Sequence, residues 1–219
     1  MSDLLVYGNL DQENLKYLNV KNIFTSKKDL FLNNKFPDYD ETKLEIAELI
    51  KLQNAYDKGE YSKDKIQFYK DADDGLELLF SKYLPACGVN MSKTFTNKLF
   101  DLTDQMGALI MQLKNSYQRP RPYQVAFYSE QELHPRETLS GHSPSYPSGH
   151  ACQAHFLTAI IAMKFPDKKG LLKEFASGVA RSRLRLGLHY PSDNVFGKKI
   201  AYDLLKMPDV KQHIKTMFF

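Results

Sequence analysis

The sequence predicts an all-α protein built as a single helical domain. Three observations carry that expectation. Apolar residues recur at helical spacing through most of the chain. Strand-like alternation is nearly absent. No internal repeat or low-complexity tract divides the chain, and 219 residues suffice for one good core.

Taken in order, residues 1–40 mix short hydrophobic patches with turn residues ("GN", "NN"). They read as an N-terminal segment of loops and short helices wrapping a helical domain at 41–219. From Glu41, "ETKLEIAELIKLQNAY" places Leu44, Ile46, Leu49, Ile50 and Leu52 on one broad apolar face. The charged stretch "DKGEYSKDKIQFYKDADD" reads as a solvated face or loop. Helical patterns resume at about Asp73 to Leu84, then at about Met91 to Ser116, either whole or broken. "RPRP" at 119–122 stops that helix, because proline cannot continue a helix interior. A polar loop runs on to Tyr146. Helices are then expected at Ser148 to Phe165, from about Lys168 to Leu186, at Pro191 to Leu205, and over Pro208 to Met217. The run Phe156 to Met163 fits a buried helix and is too short to cross a bilayer.

Composition narrows the function. The chain is 42% hydrophobic and 26% charged, ordinary for a globular protein. A formal net charge of +4, with the basic residues scattered, favours small anions slightly and is too weak to argue for nucleic acid. The N-terminus has early acidic residues and no positive region ahead of a hydrophobic stretch, so no signal peptide is expected. The expected location is cytoplasmic, or periplasmic if the chain is a mature form. Cys87 and Cys152 read as two free thiols, since a chain of this size needs no disulfide framework.

Three patches carry chemistry. "KNSYQRPRP" supplies Lys114 and Arg121, seven residues apart, so both face one way if the helix persists that far. "PSYPSGH" supplies Ser148, Gly149 and His150. Pro147 suits a first helical position, glycine admits a ligand to the backbone, and free N–H groups at a helix start attract anions. "SRLRLGLHYPSD" supplies Arg183, His189 and Asp193, with Pro191 opening a helix whose first turn holds the aspartate. Three fixed cations and oriented donors suit a tetrahedral dianion such as phosphate. One histidine can attack phosphorus and the other can protonate the departing oxygen. The carboxylate can hold the attacking ring in one tautomer. This chemistry requires no metal or other cofactor.

Lys114 with Arg121-Pro122, then Pro147-Ser148-Gly149-His150, then Ser182-Arg183 with His189 and Asp193, resembles a three-part family signature. It is that of the type-2 phosphatidic acid phosphatase superfamily, which includes the bacterial class A acid phosphatases and the vanadium haloperoxidases. The helix-rich stretch from about residue 41 and the tail "PDVKQHI" resemble the soluble class A type. The resemblance implies an all-α bundle. It implies a metal-independent phosphomonoesterase, with phosphotransferase activity as a possible side reaction. His189 would be the nucleophile forming a phosphohistidine, Asp193 its hydrogen-bond partner, and His150 the general acid and then base. Lys114, Arg121, Ser148, Gly149 and Arg183 would bind the phosphate. A small phosphate ester is the expected substrate, with no nucleic acid or membrane span, and a homodimer is expected from the relatives.

Two alternatives share the signature. A haloperoxidase would use the same residues to hold vanadate, although such chains are typically much longer. A lipid-phosphate or isoprenoid-diphosphate phosphatase would usually bring transmembrane helices. A non-enzymatic phosphate binder is disfavoured by the intact acid, nucleophile and carboxylate. Among neighbouring residues, His142 reads as a solvated loop histidine, and His134, His155 and His213 as less relevant still. Arg119 could widen a basic mouth, Arg185 reads as an ordinary salt-bridge residue, and Tyr123 and Tyr146 could either wall the pocket or pack in the core.

Overall fold

The computed structural model describes residues 12–136 and 141–219, and among these every regular element is helical. Residues 12–36 form short helical turns laid against the long fourth helix of the domain. Gln112 Nε2 donates to the Tyr17 and Val20 carbonyls at 3.0 and 2.9 Å. Phe24 and Phe31 are buried in the main core.

The first long helix, α1 (Tyr39–Asp57), starts at a capping box: Asp38 accepts the Glu41 N–H at 3.0 Å and Glu41 accepts the Asp38 N–H. The charged stretch read as a solvated face or loop forms the helix α2 (Lys63–Asp74), capped by Ser62. Its charges lie mostly outward, while Tyr69 and Ala72 are buried. Asp71 is buried too, and it is satisfied by Gln67 Nε2 at 2.8 Å, the Tyr83 hydroxyl at 2.6 Å and an ion pair with Lys82. Gly75, at φ 136°, separates α2 from α3 (Leu76–Tyr83), which is shorter than its sequence pattern suggests. α4 (Lys93–Tyr117) runs whole, the unbroken of the two readings. It ends where Gln118 turns left-handed ahead of "RPRP". After α5 (Pro122–Tyr128) come α6 (Gly149–Lys164), α7 (Lys169–Arg185), α8 (Pro191–Lys206) and α9 (Pro208–Phe218).

α6 is the axle of the fold. It buries residues around most of its circumference, including Cys152, Ala154, Phe156, Leu157 and Ile161, as a helix apolar on all sides must. α7 and α8 pack along it and α4 covers a further side. α8 comes close to α6 at Gly197, where a Cβ would sit 2.5 Å from the Ser148 carbonyl oxygen. This packing brings the ends of α4 and α7 to the starts of α6 and α8. No helix among the described residues is long and apolar enough to cross a membrane. Both cysteines are free, with Cys152 buried.

Candidate active site

The three signature patches, far apart in sequence, meet at that junction of helix ends. Lys114, in the last turn of α4, is 3% exposed and donates to the Pro144 carbonyl. Arg121 is reached differently from the sequence expectation. α4 stops four residues short of it, so the two cations do not share a helix face. An extended link carries Arg121 back into the site as the residue before α5. Its Nε donates to the Ser143 carbonyl and one terminal nitrogen to the Leu188 carbonyl, both at 2.7 Å. That same nitrogen lies 3.1 Å from His189 Nε2.

Ser148 is the N-cap of α6 and accepts the Ala151 N–H, so Pro147 precedes the cap rather than opening the helix. Gly149 and His150 form the first helical positions and are half-buried. The Ser148 N–H donates to the Asp193 carbonyl at 3.1 Å, which fastens the start of α6 to the start of α8. Arg183, fully buried in the last turn of α7, donates to Asp73 at 2.8 Å. His189 is 2% exposed just ahead of α8, with Nδ1 at 3.1 Å from Asp193 Oδ2. The same carboxylate oxygen accepts the Tyr190 N–H at 3.0 Å. Because Asp193 can only accept from the ring and Arg121 can only donate to it, the network assigns the proton to Nδ1 and the lone pair to Nε2.

The site is rich in positive charge. Burial, then Arg121, pushes the Lys114 amine well below its usual range. Burial and Arg183 hold the Arg121 guanidinium down at about 10, against the pull of Asp193. His189 lies well below 6.5 because it is buried and faces Arg121, Lys114 and Arg183. His150 is lowered likewise, by burial, Arg183 and His189. Burial raises the Asp193 carboxyl, and Arg119 and the Tyr190 amide oppose it in part. Three buried cations around a helix N-terminus, two of them donating to backbone carbonyls and Arg183 to Asp73, form an anion seat.

All eight residues expected from the sequence therefore lie at this junction. Several neighbours differ from expectation. Arg119 does not widen a mouth. It is 1% exposed and ion-paired to both Asp193 and Glu45. Arg185 makes no salt bridge among the described residues. It is 6% exposed, with its guanidinium 3.6 Å from the Tyr61 ring centroid and 4.5 and 4.6 Å from those of Tyr69 and Tyr56. Tyr146 is buried and stacked on Phe196 with centroids 4.6 Å apart, which backs the site with packed core. Tyr123 is half-buried and His142 exposed. Asp73, Glu45 and Ser192 were not singled out from the sequence, since each is polar on a helix and nothing local marks its partner.

No curated protein matches the chain. The family model described as the PAP2 superfamily matches residues 75–205, more than half of the chain and a span holding all eight signature residues. Phosphatase-type chemistry on a phosphoric ester is what such a match implies. With the all-α fold and the matched span together, the chain belongs to the PAP2 superfamily.

Proposed function

We propose that the protein is a metal-independent phosphomonoesterase that works through a phosphohistidine on His189. The observation that carries this reading is the His189 ring, held at Nδ1 by Asp193 while Nε2 faces the Arg121 guanidinium at 3.1 Å. An anion entering there takes over the Arg121 donor and meets a free lone pair. Lys114, Arg121, Arg183, the Ser148 hydroxyl and the amides near Gly149 hold the phosphate oxygens as charge builds on them. Nε2 attacks phosphorus, the ester P–O bond breaks, and His150 gives its proton to the leaving alkoxide. Asp193 stabilises the positive charge that the ring acquires. Water then attacks phosphorus, His150 takes its proton, the P–N bond breaks, and inorganic phosphate leaves with His189 restored.

His150 must be protonated in the first step, yet burial and the surrounding cations push its pKa well below 6.5. A bound phosphate dianion supplies the missing counter-charge and raises its pKa. Substrate therefore charges its own acid. We read residues 41–219 as the catalytic unit and a small phosphate ester as the substrate. The deciding experiment is hydrolysis of para-nitrophenyl phosphate across pH 4 to 9 in EDTA, with and without orthovanadate, beside His189→Ala. Activity that survives EDTA, is blocked by vanadate and is lost in the variant is the expected result. Absence of hydrolysis by folded protein refutes the reading.

A further inference from the structure

Asp193 has a second charged neighbour that the proposed steps do not use. Behind it lies Arg119, its guanidinium 3.7 Å from the Tyr190 ring centroid. One terminal nitrogen donates to Asp193 Oδ1 and to Ser192 Oγ, both at 2.7 Å. The other donates to Glu45 Oε2 at 2.9 Å and Thr42 Oγ1 at 3.3 Å. Glu45 in turn accepts the Ser192 N–H at 2.7 Å and the Ser192 hydroxyl at 2.9 Å. The first turn of α8 thus has two of its orphan amides capped by carboxylates. Asp193 takes the Tyr190 N–H, and Glu45 takes the Ser192 N–H from another helix. Glu45 sits on α1, outside the family-matched span 75–205. Its side chain is 14% exposed and borders a surface cavity of about 690 Å³ shared with Lys35, Phe36, Val195 and Lys199.

We propose that Glu45 is a positioning residue for the nucleophile: acting through Arg119 and Ser192, it fixes the Asp193 carboxylate and so the orientation and proton affinity of His189. The argument is one of charge and geometry. His189 is faced by Arg121 from the α4–α5 link, Lys114 from α4, Arg183 from α7 and His150 from α6, and by one carboxylate, Asp193. Glu45, Arg119 and Asp193 together carry one negative charge. Without the Glu45 charge, Arg119 neutralises Asp193 alone, and the ring faces the cations with no net anion behind it. The Arg119 fork then loses the acid that shares it, and the Asp193 oxygens are free to turn toward it.

This inference rests on the phosphatase reading for its kinetic signature, so the test has an arm that needs no turnover. Glu45→Gln keeps an acceptor for Ser192 and removes the charge, while Glu45→Asp keeps the charge on a shorter stem. The expected result for Glu45→Gln is kcat down by about tenfold with KM changed less than about twofold. The acidic limb of its pH profile should move down by roughly half a unit, because a ring in more positive surroundings is harder to protonate. Glu45→Asp should restore the limb. The turnover-free arm is NMR titration of the His189 ring in wild type and Glu45→Gln, expected to show the same downward shift. If wild type hydrolyses nothing but the ring pKa shifts, the relay stands and the phosphatase reading falls. Unchanged kcat, limb and ring pKa in a folded Glu45→Gln protein overturns the relay, even if it melts at a lower temperature.

Discussion

Replacing Gly197 by alanine tests whether the crossing of α6 and α8 sets the site. The new methyl would stand 2.5 Å from the Ser148 carbonyl oxygen and 3.2 Å from the Cys152 amide nitrogen. Both are backbone atoms of the first turn of α6, so no flexible side chain can yield. Reaching ordinary van der Waals separation needs a retreat of roughly 1 Å. The parts that separate are the start of α6, with Ser148, Gly149 and His150, and α8, with Asp193 and His189 ahead of it. A misplacement of about 1 Å can cost about a hundredfold in rate, and overpacking of this kind costs about 1–3 kcal/mol. For a chain of this length that is a fall in Tm of roughly 2–12 °C. The assay is kcat and KM on para-nitrophenyl phosphate with a thermal melt. Gly107→Ala is the control, since its methyl would meet only Gln153 Nε2 at 4.0 Å. It should leave kcat alone and raise stability by up to about 1 kcal/mol. Wild-type kcat and Tm in Gly197→Ala would refute the reasoning.

Asp193→Asn should keep the fold and lower kcat by about 10³–10⁴, since an amide lets the ring adopt the wrong tautomer; steady-state kinetics beside a circular dichroism spectrum checks this. Phosphate binding near pH 7 should take up a proton, because burial and nearby cations hold His150 well below 6.5 and a bound dianion raises it. Titration calorimetry in two buffers of different ionisation enthalpy reads the number, and zero uptake contradicts the charged-by-substrate acid. His155, buried on α6, is lowered to about 4 by burial and then Lys198 and Lys173. Its native form is neutral, so it contributes stability above pH 6.5 that is lost as pH falls from there toward 4, at up to about 1.4 kcal/mol per pH unit. Denaturant melts of His155→Leu should show a shallower acid limb, and an unchanged slope would remove the histidine from the account.

The signature was legible because its chemistry is written in local spacing. Pro191 opening α8 puts Asp193 one turn from His189, and Ser148 caps α6 beside His150, both readable from a dozen residues. Partners across the fold were not legible. Glu45 meets Arg119 over 74 residues and Asp73 meets Arg183 over 110, with no periodicity to announce either. The seven-residue gap between Lys114 and Arg121 suggested a shared helix face. The link that ends α4 at Gln118 brings them together by another route. The charged stretch before Asp74 presents the solvated face that its composition suggests, and that composition hides the few residues it buries. Tyr69 and Ala72 turn inward, and Asp71 is neutralised in place by Lys82. Arg185 looked like a salt-bridge residue because sequence does not show three tyrosine rings converging on it.

That ring-lined socket has a mechanical consequence. Residues 183 and 185 point about 200° apart around a helix. The final turn of α7 is therefore gripped from two sides, by Asp73 on the Arg183 guanidinium and by Tyr56, Tyr61 and Tyr69 on Arg185. Helix ends usually fray, yet this one cannot roll about its axis without pulling a cation from its housing. Arg183 is thereby indexed to α1 and α2, and the last-turn amides of α7 should exchange with deuterium as slowly as the buried middle of α6.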